Sequence, residues 1–107
     1  MKHEESIIQA GIVQFLQLAG VFFFAVSNEL AGGNLKRNML FKAMGMRAGT
    51  SDLVVVLPEG KVLFIEVKTQ EGKQSDKQVA FQKKVESLGH KYFVVRGVDD
   101  VKKILYP

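Results

Sequence analysis

The sequence predicts an α/β fold in which a small mixed β-sheet is flanked by helices. Three observations lead there. Stretches with apolar residues at helical spacing alternate with short runs of β-branched and aromatic residues. Two of those runs, around Val54 and Phe64, are joined by Pro58-Glu59-Gly60-Lys61, a turn by composition, and read as a hairpin. A helical stretch then separates the hairpin from one more strand, and a crossover of that kind makes the flanking strands parallel and the connection right-handed.

Each element has its own local reason. Residues 4–19 are expected to be helical: Ile8, Ile12, Phe15 and Ala19 recur on one face, Ile7 and Leu16 widen it, and Gly20 stops it. Residues 21–27 are short, apolar and aromatic, and read as a buried strand. Residues 28–34 contain Gly32-Gly33 and read as loop. Asn34 can cap a short helix over 35–44 that ends at Gly45. Residues 46–51 form a loop, and Asp52 stands at the start of the strand 53–57. The hairpin returns along 62–68, and 69–74 is polar loop. Ser75 can cap a helix running to about Leu88, with Val79, Val85 and Leu88 inward and Phe81 close by. Gly89 ends it, residues 91–96 form the last strand, and Val98–Leu105 the last helix.

With 107 residues, no repeat and no linker-like tract, residues 1–107 read as a single domain. Hydrophobic residues at 47% and charged residues at 24% match globular usage. The absence of cysteine excludes disulfides and thiolate metal sites, so any metal must sit on oxygen or histidine. It also fits a reducing, cytoplasmic location. No apolar run reaches the ~18 residues of a membrane span, and residues 20–26 are too short for a signal-peptide core. The net charge of +4 suits a polyanionic partner without requiring one.

The chemistry concentrates in Gly49-Thr50-Ser51-Asp52-Leu53 and Phe64-Ile65-Glu66-Val67-Lys68. Strand alternation puts Val62, Phe64, Glu66 and Lys68 on one face, and Leu63, Ile65 and Val67 on the other. A core on the second face fixes the register, so Glu66 and Lys68 cannot roll over. A hairpin turned at 58–61 sets Asp52 opposite residues 66–68. Two carboxylates and one ammonium then meet at one spot. Paired carboxylates repel unless a cation neutralises them, and a hard divalent ion such as magnesium does this with oxygen ligands. The carbonyl of Ile65 or of Val67 can complete its shell. Such an ion polarises a phosphoryl oxygen and acidifies bound water, while Lys68 orients the attacking water or stabilises developing charge. Taken alone, Glu66 and Lys68 read as a surface ion pair and Asp52 as a strand-start residue. The combination carries the chemical reading.

At this point the sequence resembles the stand-alone VRR-NUC domains, a branch of the PD-(D/E)XK nuclease superfamily with a restriction-endonuclease-like core. The resemblance runs through Glu5-Ser6-Ile7-Ile8-Gln9, Gly45-Met46-Arg47-Ala48-Gly49-Thr50-Ser51-Asp52 and Ile65-Glu66-Val67-Lys68-Thr69. It continues through Gly72-Lys73-Gln74-Ser75-Asp76-Lys77-Gln78, Gly89-His90-Lys91-Tyr92 and Val94-Val95. It implies that Asp52 and Glu66 bind metal, that Lys68 is the catalytic lysine, that Gln78 points back to the site from its helix, and that Glu5 is the first-helix acid, with Glu4 as its substitute. Many such domains have proline where this chain has Ser51, a change in loop stiffness and not in ligands. The resemblance further implies magnesium, with manganese as a substitute, a homodimer, and an origin among phages or prophages.

Lys36, Arg37, Lys42, Arg47, Lys73 and Lys77 are candidates for phosphate contact, although charge runs are usually solvated faces. No aromatic residues interleave with them along the chain, which argues against base stacking. Gln9 is a further candidate on the face of Glu5. His3 and His90 lack ligand spacing and are taken as structural or solvent-exposed. Met39, Leu40, Phe41, Met44 and Met46 either pack on the core or form a dimer contact. The function expected is a magnesium-dependent endonuclease acting on DNA, selective for branched or junction structures. The alternatives are a non-cleaving DNA-binding module on the same fold and an α/β interaction protein with accidental charges.

Overall fold

The computed structural model describes residues 3–27 and 34–107. The expected loop at 28–33 lies outside them. The elements follow the expected order: α1 (His3–Leu18), β1 (Phe22–Ala25), α2 (Leu35–Ala43), β2 (Leu53–Val56), β3 (Val62–Val67), α3 (Asp76–Ser87), β4 (Lys91–Val95) and α4 (Val98–Leu105).

The sheet has the order β1-β2-β3-β4. β1 and β2 are antiparallel, as are β2 and β3, while β3 and β4 run parallel across the α3 crossover. The β2–β3 turn places Glu59 and Gly60 at φ 65° and 75°. Two successive positive φ values are the pattern of a type I′ turn, whose twist matches that of the strands it joins. The turn fixes the register Leu53↔Ile65, Val54↔Phe64, Val55↔Leu63.

That register sorts the side chains. Leu53, Val55, Leu63, Ile65, Val67 and Val95 face α1 and α4, and close a core with Ile12, Leu16 and Val101. The opposite face carries Phe64 and Tyr92, which meet Phe81 of α3 edge-on at ring separations of 6.0 Å. α3 starts at a capping box: the Ser75 hydroxyl accepts from the Gln78 amide at 3.2 Å, and the Gln78 side chain accepts from the Ser75 amide at 2.8 Å. Asn34 caps α2 by accepting from the Arg37 amide at 2.9 Å.

Four expectations change. Leu88, expected inward at the end of α3, is 63% exposed, because the helix buries only Val85. β1 is an edge strand, not a buried one: Phe22 is 69% and Phe24 49% exposed. An all-apolar run shows no alternation, so it cannot report that one face lacks cover. In α1 the buried positions are Ile12 and Leu16, and Ile7 faces outward. α2 buries none of its residues, so Met39, Leu40 and Met44 do not pack on the core. No described helix is long and apolar enough to cross a membrane.

Candidate active site

The site forms where β2 begins and β3 ends. Asp52 lies one residue before the pair Leu53↔Ile65, beside the end of β3 that carries Glu66. Its amide and carbonyl turn to opposite neighbours, the pattern of a β-bulge that re-aims a side chain. The Asp52 main chain is held from both sides: its N–H donates to the Ile65 carbonyl at 3.0 Å, and its carbonyl accepts from the Val26 amide at 2.9 Å. Beyond this point the side chain takes over the ladder, and Oδ2 of Asp52 accepts from the Val67 amide at 2.6 Å. The N–H and C=O of one residue in an extended strand point to the same edge, so the Val67 carbonyl also faces the Asp52 side. Of the two candidate carbonyls, that of Ile65 already accepts the Asp52 amide.

Burial pushes the Asp52 carboxyl above its usual value of 3.8. The Val67 amide and, more weakly, the Lys68 ammonium oppose this, while the negative charges of Glu66 and Glu5 reinforce it. Glu5 is therefore near enough for its charge to act on Asp52. Among the described residues, however, no three acids or histidines converge into a ready-made cation cage.

Glu66 is fully buried. Its Oε1 accepts from the Tyr92 hydroxyl and, at 3.4 Å, from Nε2 of Gln74. Gln74 also donates to Gln82 at 2.9 Å, and Gln82 to Glu86 at 3.3 Å, so a polar chain from α3 supports the carboxylate. Burial and the bond to Glu66 push the Tyr92 phenol far above its ordinary value of 10.0, which keeps it a proton donor. The other oxygen, Oε2, has no hydrogen-bond partner among the described residues. It lies 3.7 Å from Nζ of Lys68, whose side chain is 11% exposed. A buried carboxylate oxygen with no hydrogen bond and only a long ion pair is costly unless a ligand or ion completes it. An all-oxygen pair with an open lone pair fits a hard cation that keeps several waters.

Lys68 is positioned from its own main chain. Its amide donates to the Val95 carbonyl at 2.9 Å, extending the β3–β4 ladder past the strand. The loop that follows is held by Arg96, whose guanidinium donates to the carbonyls of Thr69, Gln70 and Gly72.

The remaining expected residues fall in different places. Gln78 was expected to turn back toward the carboxylates, but its Oε1 is engaged in the capping box; the glutamines that reach Glu66 are Gln74, and Gln82 through it. Gln9 lines an open groove on α1 with Ser6 and Val13, and its buried Oε1 has no partner among the described residues. Arg47 and Lys77 share one groove with Lys84. Lys36 and Lys42 are exposed on α2, and the Arg37 guanidinium lies over the Phe41 ring at 5.7 Å. Lys73 is exposed beside Gln74. His3 is exposed, and His90 is exposed with its ring against the edge of Phe64.

Tyr92, Gln74, Gln82 and Arg96 carry the architecture of the site, and the sequence reading assigned them no role. The alternation of β4 puts Tyr92 and Val94 on one face. That this face is the one carrying Glu66 follows only from the register Phe64↔Tyr92, Glu66↔Val94.

Comparisons with known proteins agree with this fold, and solved structures that match share it. One, described as a VRR_NUC domain, is 25% identical with a TM-score of 0.71, over 97% of this chain and 96% of that one. Another, described as a VRR_NUC domain protein, is 18% identical with a TM-score of 0.76, over 98% of this chain and 87% of that one. Among curated proteins none matches. The VRR-NUC domain family model matches residues 5–99, and the chain belongs to that family of nuclease domains.

Proposed function

We propose that the protein is a divalent-cation-dependent endonuclease that hydrolyses DNA phosphodiester bonds, acting as a single catalytic unit over residues 1–107. The observation that carries this reading is Oε2 of Glu66, buried, without a hydrogen-bond partner, and facing Lys68 beside the half-buried carboxylate of Asp52. Asp52, Glu66 and the Val67 carbonyl are the oxygens suited to hold magnesium, with manganese as a substitute. When bound, that ion supplies Lewis-acid polarisation of a phosphoryl oxygen and a lowered pKa for water.

The chain's own groups do the rest. Lys68 carries a charge set at the rim of the buried carboxylate, where it can orient an attacking water and offset charge developing on the phosphate. Tyr92 and Gln74 hold Oε1 of Glu66 and thereby leave Oε2 for the reacting side. Glu5 adds negative potential that favours a cation over an unneutralised site. Arg47, Lys73 and Lys77 are the cations suited to phosphate contact near the hairpin's open end, and Lys36, Arg37 and Lys42 extend the basic surface on α2. Branched or junction DNA is the expected substrate class, and a dimer the expected assembly.

The test is cleavage of labelled duplex, single-stranded and four-way DNA with magnesium, with manganese and with chelator. Cutting should vanish with chelator and fall about 10²–10³-fold in Lys68→Ala. Tyr92→Phe, which keeps the ring and removes the donor, should cost roughly 10–100-fold through metal affinity. Binding by wild type and Lys68→Ala with no cutting by either would replace the nuclease reading with that of a non-cleaving DNA-binding module.

A further inference from the structure

A second groove adjoins the carboxylate site on the same face of the sheet. Its volume is about 570 Å³, within the range of pockets that hold small organic ligands. Its floor is aromatic. Phe64 meets Phe81 at 6.0 Å and His90 at 6.1 Å, both edge-on. Arg47, Lys77 and Lys84 stand around it, and among the described residues no carboxylate lines it. Phe64 lies one pleat before Glu66, so the floor begins roughly 7 Å along the strand from the buried carboxylate. Phe81 also packs on Tyr92, which holds Glu66. One wall is fixed by a backbone contact: Gly49 sits so close to the peptide joining Lys77 and Gln78 that a Cβ there would lie 2.5 Å from the Lys77 carbonyl.

This arrangement changes one expectation. Aromatic residues do not interleave with the cations along the chain, yet the fold brings Phe64, Phe81 and His90 among Arg47, Lys77 and Lys84. An apolar floor with a purely cationic rim matches one chemistry well: a flat base with its attached phosphates. A base inside a duplex cannot enter, because both of its faces are already stacked.

We infer that this groove receives one unpaired nucleotide of a DNA substrate, its base against Phe64 and Phe81 and its phosphates at Arg47, Lys77 and Lys84. The inference rests on the nuclease reading for the choice of DNA, and it supplies a physical basis for selectivity toward branched substrates. The rim cations bind any backbone. The aromatic floor rewards only a base that has left its stack.

The experiment measures binding in the presence of chelator, with no cleavage, by fluorescence anisotropy on the full chain. The probes are a fully paired duplex and the same duplex carrying one bulged nucleotide. Wild type should bind the bulged probe about tenfold more tightly, the scale of one base–aromatic stack. Ala80→Trp, at an exposed position lining the groove, should erase that preference and leave duplex affinity within twofold. Lys84→Glu, also exposed, should weaken the bulged probe more than the duplex, and it tests the same point should Ala80→Trp fail to fold. Equal binding of the two probes by wild type, or a preference kept by both variants, overturns the inference. So does a change of oligomeric state in Ala80→Trp, which would assign the groove to a contact between copies. A bulge preference without cutting in magnesium would sink the nuclease reading and leave this one standing. Cutting without the preference would do the reverse.

Discussion

Asp52 is held in a conflicted environment. Its Oδ2 accepts a short bond from the Val67 amide, which favours the charged form, yet burial and the neighbouring charges of Glu66 and Glu5 outweigh that bond and raise its pKa. A carboxyl whose folded pKa lies above its unfolded value binds protons more tightly when folded. Folding is then most favourable below the unfolded value of 3.8, and this contribution is lost as pH rises through the folded pKa. At neutral pH the ionised Asp52 therefore costs stability. Asp52→Asn keeps an oxygen for the Val67 amide and removes the charge. It should melt higher than wild type at pH 7, with the gap closing below about pH 4 as wild-type Asp52 protonates. Magnesium should reverse the order, because it stabilises only a chain that binds it, by about 2.7 kcal/mol at a hundredfold excess over Kd. Thermal melts of both proteins at pH 3.5 and 7, with and without magnesium, check this. A variant that melts lower than wild type at pH 7 in chelator would show that the carboxylate is there for structure.

At the scale of elements, the loop before β2 and the first turn of α3 are locked together at Gly49. Its φ of 78° is unfavourable for any side chain, and its Cβ position is filled by the Lys77 and Gln78 backbone. The left-handed conformation alone costs about 1–2 kcal/mol in Gly49→Ala. The clash cannot be relieved by a rotamer, because its partner is main chain, so the variant should lose more than that. It should also lose amide-exchange protection at the start of α3 before the rest of the sheet. Chemical denaturation with hydrogen exchange decides it, and a loss under 1 kcal/mol with uniform protection would contradict it. The same junction shows what was legible in the sequence. Helices and strands could be read because their periods are local. The juxtaposition of Asp52 and Glu66 could be read because a tight turn sets a hairpin register. The support for Glu66 could not, because Tyr92 arrives on β4, whose register against β3 depends on the length and tilt of α3. Gln78 is a different case. Ser75-Asp76-Lys77-Gln78 is itself a capping-box signature; local cap chemistry claims the Gln78 side chain, and Gln74 and Gln82 take the place beside the carboxylate.

For the whole molecule, the distribution of apolar surface is lopsided. One face of the sheet is closed by α1 and α4, and the other by α3, yet β1 ends the sheet with Phe22 and Phe24 exposed. α2 has no fully buried residue and exposes Leu35, Met39 and Leu40, with Met44 exposed just after it. β1 and the chain following α2 lie together, since Phe24, Ala25, Met44 and Met46 line one shallow depression. An edge strand and a helix whose apolar residues are uncovered among the described residues are unfavourable for an isolated chain, and a two-fold contact between copies would cover both at once. A stable interface needs roughly 800 Å² from each partner, about a tenth of a small protein's surface. The expectation is a dimer at micromolar concentration by sedimentation equilibrium. Leu40→Glu combined with Met44→Glu should yield a folded monomer, since neither side chain supports the core. A dimer would also set two carboxylate sites in a fixed relation, so the monomer should still nick a single strand while losing paired cuts across a duplex by tenfold or more. Wild type sedimenting as a monomer would remove the two-fold account of that surface and leave each copy's site to act alone.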